Sequence, residues 1–103
     1  MKHVILSLDT SDSDRTRVVL TIDGKRFEKT SQSKILKAQT VLPLIEELMK
    51  EHAIDPSDIS GILVYAGPGS FTGLRVGATI ANTLGFLLHI PVNGKRHSVI
   101  PSY

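Results

Sequence analysis

No cysteine occurs in the 103 residues, so a disulfide framework, a thiol nucleophile and a cysteine-held zinc or iron–sulfur centre are all excluded. A reducing cytosol fits that composition. Charge of one sign is equally scarce. Twelve Lys and Arg stand against ten Asp and Glu, the formal net charge is +2, and the like charges never gather into a block. Nucleic-acid binding by this chain alone is therefore not indicated. The four histidines, His3, His52, His89 and His97, include no pair one helical turn apart and no H-E-x-x-H frame, which leaves no metal site to expect. The apolar run at the start, Val4-Ile5-Leu6, is far too short for the hydrophobic core of a signal peptide. The longest uncharged stretch, 76–94, is interrupted by Thr79, Asn82, Thr83, His89, Pro91 and Asn93. Its helical part falls short of the ~20 apolar residues that a bilayer requires, so it reads as a buried helix followed by a strand. Repeats, linkers and low-complexity segments are missing too.

The composition that remains is that of an ordinary globular domain, with 41% hydrophobic and 21% charged residues. A chain of this length buries about two thirds of the surface it exposes when unfolded, enough for a real core. Val4 to Leu8 reads as a buried strand. Thr16 to Ile22 alternates, with Val18, Leu20 and Ile22 on one face, and reads as a half-covered strand. Asp23-Gly24 is the pair favoured in a two-residue hairpin turn, so Arg26 to Thr30 returns as a third strand. A polar loop over 31–38 leads into a helix from about Gln39 to His52, with Pro43 near its start and a wide apolar arc of Val41, Leu42, Leu44, Ile45, Leu48 and Met49. Ile59 to Ala66 is another apolar strand, a second helix runs from about Gly73 to Leu88, and Ile90-Pro91-Val92 forms a last short strand. The expected order is β-β-β-α-β-α-β, an α/β lobe with a mixed five-stranded sheet.

Between the fourth strand and the second helix lies Gly67-Pro68-Gly69-Ser70-Phe71-Thr72-Gly73-Leu74-Arg75. Its glycines let the backbone turn tightly, and Ser70 or Thr72 can cap the helix. Unpaired amides and the positive end of the helix dipole favour an anion there, yet the spacing is neither the dinucleotide fingerprint nor a P-loop. A structural turn and a phosphate cradle both fit. The candidate anion-binding set is Asp9, Thr10, Gly67, Gly69, Ser70, Thr72, Gly73 and Arg75. Asp9, the carboxylate that ends a buried strand, either takes part in that site or caps its own turn through the amides of Thr10 and Ser11. Arg75 either binds an anion or pairs with Asp9 or a partner's carboxylate. Ser70 has no companion base and no G-x-S-x-G frame, so no catalytic residue is expected. Along the second helix Gly77, Ala81 and Gly85 recur every four residues and form a smooth ridge, open to packing within the chain or against another subunit. Because both helices carry more apolar surface than one small sheet covers, Val41, Leu42, Ile45, Leu48, Met49, Gly77, Ala81, Leu84, Gly85 and Leu88 are the candidate interface. Lys95-Arg96-His97 either touches a phosphate or is simply solvated.

The opening strand Ile5-Leu6-Ser7-Leu8-Asp9-Thr10-Ser11, the loop from Gly67 through Gly77, Leu42-Pro43-Leu44-Ile45 and Leu88-His89-Ile90-Pro91-Val92 together closely resemble the N-terminal lobe of the TsaB (YeaZ) family, over essentially the whole chain. The resemblance implies an actin-like lobe of the Hsp70-type ATPase fold. It further implies a non-catalytic cytoplasmic subunit, paired through its two helices with itself or with a TsaD-type enzyme. That enzyme adds a threonylcarbamoyl group to tRNA adenosine, with a TsaE-type ATPase in support and no membrane. Contact with tRNA would be indirect. The chain departs from the family in stopping after the strand at 91–93, so residues 1–103 are expected to be one lobe with the second absent. No cofactor is expected. The one candidate is ATP with magnesium, which lies between two lobes in this fold, and the turn at Asp9 to Asp14 lacks the glycine of phosphate-gripping relatives. Lys37 and Ala38 stand where many relatives carry His-Ser. The alternative to an assembly subunit is a small nucleotide- or phosphate-binding module built on the glycine loop.

Overall fold

A computed structural model describes residues 3–12, 15–32, 37–95 and 100–101, with 37–39 as backbone only. Strand β1 (Val4–Asp9) buries Val4, Leu6 and Leu8 on one face, as its alternating sequence requires. It pairs antiparallel with β2 (Thr16–Ile22), which pairs antiparallel with β3 (Lys25–Ser31). The turn between them follows its sequence: Asp23 and Gly24 both take positive φ, 49° and 87°, as a primed hairpin turn demands. Asp23 is also tied back to the start of β1, its Oδ1 accepting from the His3 amide at 2.8 Å.

Helix α1 (Lys37–Glu51) crosses β2 and β3, and β4 (Ile59–Val64) returns parallel to β1. Helix α2 (Phe71–Leu88) then lies over β4 and β1, so both helices cover the same face of a mixed sheet ordered β3-β2-β1-β4. The core between the layers is built from Leu6, Leu20, Val18, Val41, Leu48 and Ile62, all essentially fully buried. The edge strand β3 is fastened to α1 by Lys29, whose Nζ reaches Glu51 at 3.0 Å and Glu47 at 3.4 Å, and by Phe27, whose ring stacks on His52 at 3.9 Å.

Three sequence expectations change. Helix α1 begins at Lys37 rather than about Gln39, and α2 begins at Phe71 with Ser70 as its cap rather than at Gly73. The described residues form four strands rather than five. Where the fifth was expected, Val92 makes a single parallel bridge to Ile62. Asn93 and Gly94 then take positive φ, and Val92 and Lys95 exchange backbone hydrogen bonds at 2.9 and 3.0 Å, so the chain reverses before a second rung can form. Finally, α2 reads as a buried helix, yet only 39% of it is buried. Its 18 residues, with a mean hydropathy of 1.2, are by length and composition enough to cross a membrane. Here it packs along the sheet by one flank, through Gly73, Leu74, Gly77, Ala78, Ala81 and Gly85.

Both helices end on a left-handed residue that is not glycine. At α1, Ala53 has φ 53°, Ile54 donates to the Met49 carbonyl at 2.8 Å and Ala53 to the Lys50 carbonyl at 3.3 Å, the pattern of a Schellman close. An L side chain in that conformation costs roughly 1–2 kcal/mol, while glycine there loses roughly 0.5–1 kcal/mol more chain entropy. The strain wins. Ala53→Gly should raise stability by about 0.5–1 kcal/mol, read as a higher urea midpoint at unchanged m-value.

Candidate functional site

The carboxyl end of β1 and the loop before α2 are stitched together. Asp9 Oδ1 accepts from both the Ser11 amide (3.0 Å) and the Ser11 hydroxyl (2.6 Å), an Asx turn that closes on itself. The turn-capping role weighed for Asp9 is thus present, with Ser11 as donor. One residue on, Thr10 is fully buried, and its Oγ1 donates to the Gly73 carbonyl at 2.5 Å. The Ser70 amide donates to the Ser11 carbonyl at 3.1 Å. Ser70 Oγ accepts from the Gly73 amide at 3.3 Å, the N-cap bond of α2. Tyr65 continues the pairing of β4 by donating its amide to Leu8 at 3.0 Å, and its hydroxyl donates to the Pro68 carbonyl at 2.8 Å.

Glycine is needed here for close approach. A Cβ on Gly73 would overlap the Thr10 carbonyl, one on Gly77 would overlap Thr10 Oγ1, and one on Gly69 would lie 2.9 Å from Ser11 Cβ. Ser11 and Thr10 therefore occupy the hollow that the glycines create. Two of the loop amides best placed for an anion, those of Ser70 and Gly73, already have protein acceptors. Thr72 and Arg75 are exposed on the first turns of α2, and the Arg75 guanidinium lies 5.3 Å from the centre of the Phe71 ring. Arg75 thus lies against the exposed Phe71 ring one helical turn before it. The eight candidate anion ligands thus divide. Asp9, Thr10, Gly69, Ser70 and Gly73 form the closed stitch, Gly67 turns the chain with φ 130°, and Thr72 and Arg75 face outward. Among the described residues no three His, Asp or Glu side chains converge on a metal position.

The ten candidate interface residues divide as well. Val41, Ile45, Leu48 and Met49 belong to the core under α1, and Gly77, Ala81 and Gly85 face the sheet rather than a partner. The ridge of small residues is used inside the chain, since a Cβ on Gly85 would lie 2.5 Å from Val92 Cγ2. Leu84 and Leu88 are half-buried against the same core. Only Leu42, 51% exposed, is open. The apolar surface lies elsewhere. Phe71 is 56% exposed, Phe86 78% and Leu87 64%. Phe71, Arg75, Thr79, Thr83 and Phe86 recur at three- and four-residue spacing along the outer face of α2. Beside the first turns lies a shallow depression of about 340 Å³ lined by Phe71, Thr72, Arg75, Val76, Thr79 and Ile80. Sequence reasoning missed Phe71 and Phe86, because a helix apolar all round does not show which flank meets the sheet. It also passed over Thr10 as the lock of the loop, although glycines every four residues signalled a close neighbour.

A two-layer α/β lobe whose glycine loop launches an apolar, half-covered helix defines the class. The family model for "TsaD: tRNA N6-adenosine threonylcarbamoyltransferase" matches residues 32–99. The tRNA threonylcarbamoyladenosine biosynthesis protein TsaB of Bacillus subtilis is 35% identical over 89 residues, 86% of this chain and 39% of the relative. The protein of that name in Haemophilus influenzae is 33% identical over 88 residues, 85% of this chain and 37% of its own. Among solved structures, YeaZ from Pseudomonas aeruginosa superposes with a TM-score of 0.83 at 32% identity, covering 87% of this chain and 42% of that one. The chain belongs to the TsaB (YeaZ) family. It spans about two fifths of the length of the relatives it matches.

Proposed function

We propose that this chain acts in tRNA threonylcarbamoyladenosine biosynthesis as a non-catalytic assembly subunit. Its docking surface is the outer face of the two helices, and it takes either a second copy of itself or a TsaD-type subunit, with a TsaE-type ATPase in support. The observation that carries the reading is the exposure of Phe71, Phe86 and Leu87 on α2 and of Leu42 on α1. Large apolar side chains left open along one face mark a surface that another protein covers. Family membership supports this choice of pathway. In this reading tRNA is reached only through the partner, the work is done in the cytoplasm, and the actin-like lobe serves as a scaffold rather than as half of a nucleotide cleft.

The chain by itself is proposed to hold neither nucleotide nor metal. The supporting observation is that Asp9 Oδ1 and the amides of Ser70 and Gly73 are committed to protein partners. Light scattering on the purified chain, alone and mixed with a TsaD-type protein, tests the assembly reading. A dimer or a co-eluting complex is expected, and a monomer that ignores the partner overturns it. Titration with ATP and magnesium is expected to give no heat. Binding at millimolar nucleotide would transfer the function to the loop.

A further inference from the structure

The segment that replaces the fifth strand contains a reactive dipeptide, Asn93-Gly94, in an unusual setting. The Asn93 carboxamide imitates a backbone rung. Its Oδ1 accepts from the Val64 amide at 2.8 Å, and its Nδ2 donates to the Val64 carbonyl at 3.0 Å. The backbone bonds from Ile62 to the Pro91 carbonyl (3.0 Å) and from Asn93 to the Ile62 carbonyl (2.8 Å) precede this clamp. One side chain thus completes the outer edge of β4. Gly94 is exposed, has φ 76°, and among the described residues beyond its two chain neighbours nothing lies within 4 Å of where a Cβ would stand.

We propose that Asn93 is a deamidation site gated by this clamp, converted to aspartate or isoaspartate only when the edge of β4 opens. In the reaction the Gly94 nitrogen loses its proton to solvent base and attacks Asn93 Cγ. The Cγ–Nδ2 bond breaks, the amide nitrogen takes up a proton and leaves as ammonia, and a five-membered succinimide remains. Water then opens the ring at either carbonyl. The approach of Gly94 to Cγ cannot occur while both carboxamide atoms are held by Val64, so the folded edge protects the residue that completes it. The change is one-way. In the aspartate product a carboxylate oxygen replaces Nδ2 and faces the Val64 carbonyl, acceptor against acceptor; in the isoaspartate product the main chain runs through Cγ and the carboxamide is gone, so in either product the Val64 carbonyl loses its Nδ2 donor. An opening of the edge is thereby recorded covalently, and the recorded chain no longer closes.

The other asparagine, Asn82, supplies an internal control, because it lies within α2 and is followed by the branched Thr83. The full chain is incubated at mildly alkaline pH in buffer and in denaturing urea, and both asparagines are followed by peptide mass and isoaspartate content. Conversion at Asn93 is expected to be at least about tenfold slower in buffer, the factor set by about 1.4 kcal/mol of clamp opening. Gly94→Ala is expected to slow conversion in urea, and Asn93→Asp to melt below the wild type. Should Asn93→Asp fail to fold, wild-type chain part-converted in urea and then refolded replaces it, with converted molecules depleted from the folded fraction. Equal rates in buffer and urea, no conversion at Asn93 in urea, or converted chain that regains wild-type melting overturns the proposal.

Discussion

Gly77→Ala is expected to destabilise the fold by about 1–3 kcal/mol, although replacing glycine by alanine inside an unhindered helix gains up to about 1 kcal/mol. The sign reverses because of what lies opposite. A Cβ at Gly77 overlaps Thr10 Oγ1 and comes within 3.3 Å of Val64 Cγ2, in a part of the core where Thr10 is fully buried. Gly73→Ala is expected to be at least as costly, since the atom it meets is the Thr10 backbone carbonyl, which no rotamer change can move. The two are separated by a second substitution. Thr10→Ala removes the hydroxyl that obstructs Gly77, at a cost of about 0.5–1.5 kcal/mol for the lost bond to the Gly73 carbonyl. Thr10→Ala with Gly77→Ala should therefore cost less than the sum of the single changes, by an amount limited by the remaining Val64 contact, whereas Thr10→Ala should leave the penalty of Gly73→Ala intact. Urea unfolding of the six proteins decides it. A Gly77→Ala protein more stable than the wild type would mean that α2 does not press on β1 as described.

That contact also shows why parts of the fold were legible in the sequence and parts were not. The hairpin between β2 and β3 could be read from Asp23-Gly24 because the turn is specified by its own two residues. The start of α2 could be narrowed to Ser70 or Thr72 because capping is local, and Ser70 is the one used. Thr10 and Gly73, in contrast, are 63 positions apart, and nothing in either neighbourhood announces the other. The missing fifth strand has a similar cause. Ile90-Pro91-Val92 has strand composition, but the bond that ends the strand comes from a side chain, Asn93, acting as backbone. The helix ends could be placed from the sequence at about His52 and at Leu88, but the left-handed closes at Ala53 and His89 could not be foreseen, because glycine is the usual mark of such a close and neither helix carries one there. At the candidate interface the sequence showed how much apolar surface the helices have, but not how the sheet divides it. Val41, Leu48 and Ala81 went inward, and Phe71 and Phe86 stayed out.

That division gives the assembly proposal its sharpest test. Phe86→Glu and Leu42→Glu should each weaken dimerisation or binding of a TsaD-type partner by about a hundredfold, since about 2.8 kcal/mol is within the range of a buried aromatic or aliphatic anchor. Both side chains are more than half exposed, so each change should leave the stability of the isolated chain within about 0.5 kcal/mol. Leu48→Glu and Ala81→Glu should behave in the opposite way. Leu48 and Ala81 lie inside the sheet–helix core at 2% and 0% exposure, where an unpaired carboxylate costs several kcal/mol, and these proteins should lose the fold before any contact is probed. Sedimentation velocity across a concentration series, with urea melts of the same samples, separates the two pairs. If Phe86→Glu and Leu42→Glu leave association untouched while both chains stay folded, the outer helix face is not the docking surface. The exposed Leu63 and Tyr65 on the opposite face of the sheet then become the next apolar side chains to examine.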